Sequence, residues 1–358
     1  MTGSSQPDRA GAPADPTGLS LADHTTFRLG GPAGSLRRAT NEADLIEAVQ
    51  REDAAGRPVL ILGGGSNVLV SDEGFPGLVV LVATDGCRVD QSDPGRIDLT
   101  VAAGQSWDGL VAQTVERGWS GLEALSGVPG TVGAAPIQNI GAYGAEVAEA
   151  IVAVRAWDRS SGRIVTWPAA DCRFVYRGSR FKAEPGRHLI LSVDFRLWPD
   201  RRSQPVRYAE LADRLGVAVG QRADLARVRQ AVLELRRAKA MLVDPAVPDS
   251  WGVGSFFTNP VLSAESAAAL PAEAPRFAQE DGRVKLSAAW LIERAGFERG
   301  HGLGAARLSS RHVLALTNQG GATAAQVMAL AAQIRRGVEA RFGVRLEVEP
   351  TLVGLTLD

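Results

Sequence analysis

SGVPGTVGAAPIQNIGAYG, residues 126 to 144, is the stretch on which the reading of this chain turns. Together with Gly121 it places glycines at 121, 127, 130, 133, 141 and 144, without tandem repetition and mixed with polar side chains inside an otherwise apolar run. Glycine lacks a Cβ, so this density predicts backbone passing close to a ligand; a linker would be uniformly small and polar.

Upstream lies a second glycine cluster, Gly63-Gly64-Gly65-Ser66-Asn67, directly after the apolar run Pro58 to Leu62. That run reads as a buried strand, and Asn41 to Gly56 before it reads as a helix with Leu45, Ala48 and Val49 on one face. A turn of this kind exposes consecutive N–H groups that can hold a pyrophosphate, although a hairpin turn reads the same way. It is a poor dinucleotide fingerprint, because Val68 stands where a third glycine is expected, and no Gly-Lys-Ser/Thr follows to make a P-loop. Strands at Leu78 to Val82 and Ile97 to Val101, and a helix from Ser106 to Arg117 stopped by Gly118, make the first half mixed α and β.

Downstream, the polar and basic connection Pro199 to Pro205 leads to a domain boundary expected between 200 and 222. Helices are expected at Asp224 to Ala238, Ser287 to Ala295 and Thr323 to Phe342. Thr323 and Gln326 give the last one a capping box, Val327, Leu330, Ile334, Val338 and Phe342 keep helical spacing, and Gly343 ends it. In Val344 to Glu349 apolar and charged residues alternate, which predicts a strand with Glu347 and Glu349 on one face, one of them available to a cleft.

With 358 residues, two or three domains that enclose a ligand are expected. Lys+Arg 39 against Asp+Glu 40 gives a net charge of -1, with no field to hold nucleic acid or an anionic membrane. Cys87 and Cys172 are the only cysteines and the four histidines are scattered, so neither a disulfide framework nor a metal site is expected, and the compartment reads as reducing. Met1 to Leu19 has no basic-then-apolar order and reads as a disordered tail, not a secretory signal. Apolar runs such as Leu78 to Ala83 fall far short of the ~20 residues that span a bilayer.

The 126–144 stretch resembles the flavin-binding signature of the UDP-N-acetylenolpyruvoylglucosamine reductases. So does the Gly63 to Asn67 turn, preceded by His24-Thr-Thr-Phe-Arg-Leu-Gly-Gly31. Cys172-Arg-Phe-Val-Tyr-Arg-Gly-Ser-Arg-Phe-Lys182, Gly254-Ser-Phe-Phe-Thr-Asn-Pro260 and Leu346-Glu-Val-Glu349 are similar to further family segments, so the match runs from about His24 to the end. The resemblance implies an α+β protein. Its FAD-binding fold is of the vanillyl-alcohol oxidase/PCMH type, with two α/β subdomains over 23–205 split near 90. A separate α+β substrate-binding domain covers 206–350, residues 1–22 form the tail, and 351–358 form the C-terminal end.

The resemblance also implies a cytoplasmic, monomeric enzyme of peptidoglycan biosynthesis. Such an enzyme uses NADPH and non-covalent FAD to reduce UDP-N-acetylglucosamine enolpyruvate to UDP-N-acetylmuramate. Hydride passes from flavin N5 to the enolpyruvyl methylene carbon, and Ser255 protonates the neighbouring carbon. Arg177 holds the substrate carboxylate, although spacing alone does not separate it from Arg180. The catalytic glutamate falls at Glu349 rather than Glu347, and an acid beside an accumulating enediolate must be protonated to help. Cofactor contacts are expected at Gly63, Gly64, Gly65, Ser66, Asn67, Ser126, Gly127, Pro129, Gly130, Gly133, Ile137, Gln138, Asn139, Gly141, Tyr143 and Gly144. Substrate contacts fall at Tyr176, Tyr208 (the tyrosine that closes over substrate in one subgroup), Lys239, Asn259 and His312, the last where some members carry glutamine. The rivals are an FAD oxidase of the same fold and a non-catalytic FAD or nucleotide-sugar binding protein. Ser255, Glu349 and the lack of a tethering histidine near Ser66-Asn67 speak against the first; the presence of all three catalytic groups speaks against the second.

Overall fold

The computed structural model describes residues 19–358, so most of the expected tail lies outside the described residues. That tail ends before residue 22. Leu21 is fully buried, because the amides of Leu21 and Ala22 donate to the carbonyls of Gly31 and Gly30 and close the segment onto the first subdomain.

That subdomain contains β1 (Ala33–Ala39), α1 (Glu42–Ala54), β2 (Val59–Leu62), β3 (Val68–Val70) and β4 (Phe75–Val82). Strands β1, β4 and β2 form a parallel sheet in that order. Helix α1 starts where Asn41 Oδ1 accepts from the Asp44 amide at 2.9 Å, and it packs Leu45, Ala48 and Val49 on the sheet. Strand β3 leaves the sheet for a strand at the far end of the chain. The Gly63 to Asn67 turn therefore joins two separate sheets and is not a hairpin.

The second subdomain is an antiparallel sheet. Its strands in chain order are β5 (Cys87–Asp90), β6 (Ile97–Ala102), β7 (Ile151–Asp158), β8 (Arg163–Pro168) and β9 (His188–Pro199), arranged as β8-β7-β9-β6-β5. Helix α2 (Trp107–Arg117) lays Trp107, Leu110 and Val111 into its core. Ser106 caps its start, and Gly118 at φ 75 ends it in the left-handed region.

Helices α3 (Ala209–Leu215) and α4 (Leu225–Ala238) share a small core of their own around Leu211, Leu215, Val228 and Val232. Although sequence placed them in the substrate domain, α4 contacts α2 and the turn Glu123–Leu125, and α3 packs on α4; Arg229 of α4 pairs with Asp108 at 2.6 Å.

The remaining core begins at Val253. It holds β10 (Arg276–Ala278) paired with β11 (Val284–Leu286), α5 (Ala288–Arg294), a three-stranded sheet within 302–318, and α6 (Ala324–Phe342). Thr323 and Gln326 form the expected capping box. The first-turn amides of Ala324 and Ala325 also donate to the Asp72 carboxylate at 2.8 and 3.0 Å, which ties this part to the first subdomain. Phe27, Leu29 and Leu69 enter the same core.

The strand expected over Val344 to Glu349 does not form. The segment runs extended beside 256–258, making only the isolated bridge Phe257 to Val348, and strand pairing resumes with β12 (Thr351–Val353) alongside β3. Nor do the two glutamates share a face: Glu347 is exposed while Glu349 is buried. After Val348 the chain dives under the glycine turn, where the Thr351 amide donates to the Asn67 carbonyl at 2.9 Å.

Candidate functional site

These parts surround a cleft of about 1180 Å³. Gly63, Gly64, Gly65, Ser66 and Asn67 line one wall, continued by Pro129, Ile137, Gln138, Gly141, Tyr143 and Gly144. The glycines are forced by close backbone approach: a Cβ on Gly64 would lie 2.7 Å from Gly130 Cα, and one on Gly65 would lie 1.9 Å from the His24 carbonyl oxygen. Ser66 Oγ donates to the Pro129 carbonyl at 3.1 Å and Asn67 Nδ2 donates to Gln138 Oε1, so turn and strip form one surface.

Five residues expected to touch a cofactor sit behind this wall. Ser126 Oγ donates to the Glu123 carbonyl at 2.7 Å. Asn139, at φ 47, spends its amide on Glu146 and the Val175 carbonyl. Side chains at Gly127, Gly130 and Gly133 would strike Leu242, Ser66 and Ala103. Between Leu60 and Ala145 the lining has apolar and small polar side chains and no carboxylate, histidine or cysteine. That donor set fits a non-covalently held, diphosphate-bearing FAD.

At the inner end, Arg177 occupies a turn closed by reciprocal backbone hydrogen bonds between Val175 and Gly178 at 3.0 Å. Its φ of 53 aims the guanidinium inward, where Nη2 donates to the Gly141 carbonyl at 2.7 Å and Nε meets Glu349 Oε1 at 3.0 Å. Arg180, the alternative, donates instead to the Asp171 carbonyl at 2.9 Å and stacks over Trp167 at 3.9 Å, away from the cleft. The Glu349 amide donates to the Phe256 carbonyl at 2.9 Å, which clips the glutamate beside half-buried Ser255.

Burial pushes the Glu349 carboxyl above its ordinary range, while Arg177 and Lys182 pull the other way without cancelling it. Burial likewise raises Tyr176, and Asn259 accepts from the Ala288 amide at 2.9 Å.

At the outer end Tyr208, 42% exposed, meets Tyr143 edge-on at 5.6 Å. Lys239 Nζ pairs with Glu210 at 2.5 Å. Burial, aided by Lys239 and Arg299, lowers His312 to about 4, leaving a neutral ring at neutral pH. All three residues expected as catalytic and all five expected as substrate contacts line the cleft.

Sequence reading missed Lys182, Lys285, Arg236 and Phe277, which also line it. Lys182 ends a quoted motif and was within reach; the others lie in segments without a local signal.

Family models match two segments: "FAD binding domain" over residues 35–167 and "UDP-N-acetylenolpyruvoylglucosamine reductase, C-terminal domain" over 246–353. The second begins close to Val253, where the last of these cores begins, beyond α4. The UDP-N-acetylenolpyruvoylglucosamine reductase of Saccharopolyspora erythraea is 50% identical over 96% of this chain and 97% of that protein. That of Streptomyces coelicolor is 49% identical over 94% and 90%. The crystal structure of the UDP-N-acetylenolpyruvylglucosamine reductase from Thermus caldophilus superimposes with a TM-score of 0.62 at 24% identity, covering 94% of this chain and 97% of that one, and shares the fold. Half of all positions conserved across nearly the full length of these relatives establish that the chain belongs to the UDP-N-acetylenolpyruvoylglucosamine reductase family.

Proposed function

We propose that the chain reduces UDP-N-acetylglucosamine enolpyruvate to UDP-N-acetylmuramate with NADPH as electron donor, and that Arg177, Glu349 and Ser255 carry the chemistry. The observation that supports this most is the pairing of Arg177 with Glu349 at 3.0 Å beside the segment that holds Ser255. The Gly63–Asn67 turn and the 126–144 strip would hold FAD, which when bound would supply hydride chemistry at this end of the cleft.

The protein's own groups manage charge and proton. Arg177 is a permanent cation with a planar fork, so it holds the substrate carboxylate and stabilises the negative charge that grows there. Glu349 acts as a protonated donor. Its burial already favours the acid form, and a carboxylate ligand that claims Arg177 raises it further. Ser255 Oγ gives its proton to the carbon beside the carboxylate. That carbon is more basic than an alkoxide, so the transfer runs downhill. Lys239 and Asn259 take the diphosphate and sugar, His312 and Tyr176 line the same path, and Tyr208 closes over it.

We assign FAD to the two subdomains within 23–205 and the sugar chiefly to the part beyond α4. We take the enzyme to work as a monomer. Among the described residues no helix is long and apolar enough to cross a membrane, and the cytoplasm, which supplies NADPH, is the proposed compartment.

Anaerobic absorption spectroscopy tests this reading. NADPH should bleach the flavin bands, and the enolpyruvyl sugar should restore them. Reoxidation by oxygen but not by the sugar would favour an oxidase of the same fold, and a chain that cannot be loaded with FAD would overturn the reading.

A further inference from the structure

Lys182 is a cation at the inner end to which this mechanism gives no task. It lies in the short helix Arg180–Ala183, whose start is fixed because Ser179 Oγ accepts from the Phe181 and Lys182 amides and donates to the Ile137 carbonyl at 2.6 Å. The helix is thus pinned to the glycine strip. From it the half-buried Lys182 side chain reaches into the cleft, and its ammonium donates to the Arg177 carbonyl at 3.2 Å and the Glu349 carbonyl at 3.4 Å. Both acceptors are main-chain oxygens of the residues assigned to the chemistry.

Turning a lysine inward against two neutral acceptors costs desolvation that a surface rotamer would avoid. The ammonium faces Arg177 and Glu349, and Lys285 approaches the same neighbourhood by sitting 4.7 Å over the Tyr176 ring. Burial and Arg177 lower the Lys182 pKa while Glu349 raises it, so the site concentrates positive charge where an anion is expected.

We propose that Lys182 is a positioning residue for the reduction: its ammonium ties the Arg177 turn to the Glu349 segment and holds guanidinium, carboxyl and Ser255 in register as charge develops on the substrate. This rests on the roles given to Arg177 and Glu349 above.

The test uses the full chain loaded with FAD, comparing Lys182→Met and Lys182→Arg. The readouts are the limiting rate of flavin reoxidation by the enolpyruvyl sugar and its dependence on pH. Lys182→Met should slow that rate by roughly 10- to 100-fold, the scale of a misplaced reacting group. It should also move the alkaline limb, where Glu349 loses its proton, upward by about one pH unit, because a cation that favours the carboxylate is gone. Lys182→Arg should restore both the rate and the limb.

A Lys182→Met enzyme with the wild-type rate and limb would overturn the proposal. So would a slow one whose limb is unmoved and which arginine does not rescue, since that pattern means a structural role only. If Lys182→Met cannot hold FAD, Lys182→Gln is judged by the same two readouts. Arg177→Ala and Glu349→Ala run alongside: their retaining full turnover would sink the underlying site assignment, whereas their failing while Lys182→Met does not would sink this inference alone.

Discussion

The two ends of the cleft are built differently. At the inner end, Arg177, Glu349 and Lys182 are fixed through main-chain carbonyls and closed turns, and Glu349 is only 9% exposed. At the outer end, Tyr208, Lys239 and Glu210 meet through side-chain contacts on a half-open helix pair, and Tyr208 remains 42% exposed. Main-chain anchoring suits groups that must stand still while charge forms, because preorganisation lowers the barrier only if nothing has to move. Side-chain pairs exchange partners easily, which suits recognition of a ligand that enters and leaves. The inner end should therefore govern the limiting rate, and the outer end affinity.

The largest effect should come from Ser255→Ala, with turnover falling about 10²- to 10⁴-fold while NADPH still bleaches the flavin. Steady-state turnover beside anaerobic bleaching measures this, and unimpaired turnover would remove Ser255 from the role. Arg177→Ala should follow, losing roughly 10²- to 10³-fold in kcat, as for the removal of a preorganised charge-stabilising donor. If added guanidinium leaves that loss unrepaired while circular dichroism shows an altered fold, the loss belongs to the turn and not to the charge.

Lys239→Ala should raise KM by about tenfold, ~1.4 kcal/mol of binding, and leave kcat nearly untouched. A drop in kcat instead would erase the contrast between the two ends. The smallest effect concerns acid stability. The fold holds His312 near 4, below its ordinary 6.5, so folding favours the neutral ring. That contribution is fully present above pH 6.5 and is lost as pH falls from 6.5 towards 4. Urea midpoints across that window should fall more steeply for the wild type than for His312→Gln, and parallel curves would mean that the ring titrates normally.

The sequence made the outer scaffold legible and part of the inner one. Helices α1, α2 and α6 could be read because Asn41, Ser106, Thr323, Gly118 and Gly343 write their ends locally. The glycine strip could be read because close backbone contact excludes any other residue there. What local pattern could not show were the long-range partners. Val344 to Glu349 has strand alternation but makes only one isolated bridge, Phe257 to Val348, so it is held by the Ser255 segment on one side and, through Thr351, by Asn67 on the other. The choice of Arg177 over Arg180 required seeing Trp167 beneath Arg180. The placement of α4 beside α2 rests on the Asp108 to Arg229 pair, 121 residues apart.

The contrast between the two ends is tested most directly by single-turnover rapid mixing, in which NADPH-reduced protein meets increasing concentrations of the enolpyruvyl sugar and flavin reoxidation is followed. The account predicts that Ser255→Ala lowers the limiting rate with little change in the half-saturating concentration, and that Lys239→Ala raises the half-saturating concentration and reaches the wild-type limiting rate. A Ser255→Ala protein that attains the wild-type rate at saturating sugar would contradict it.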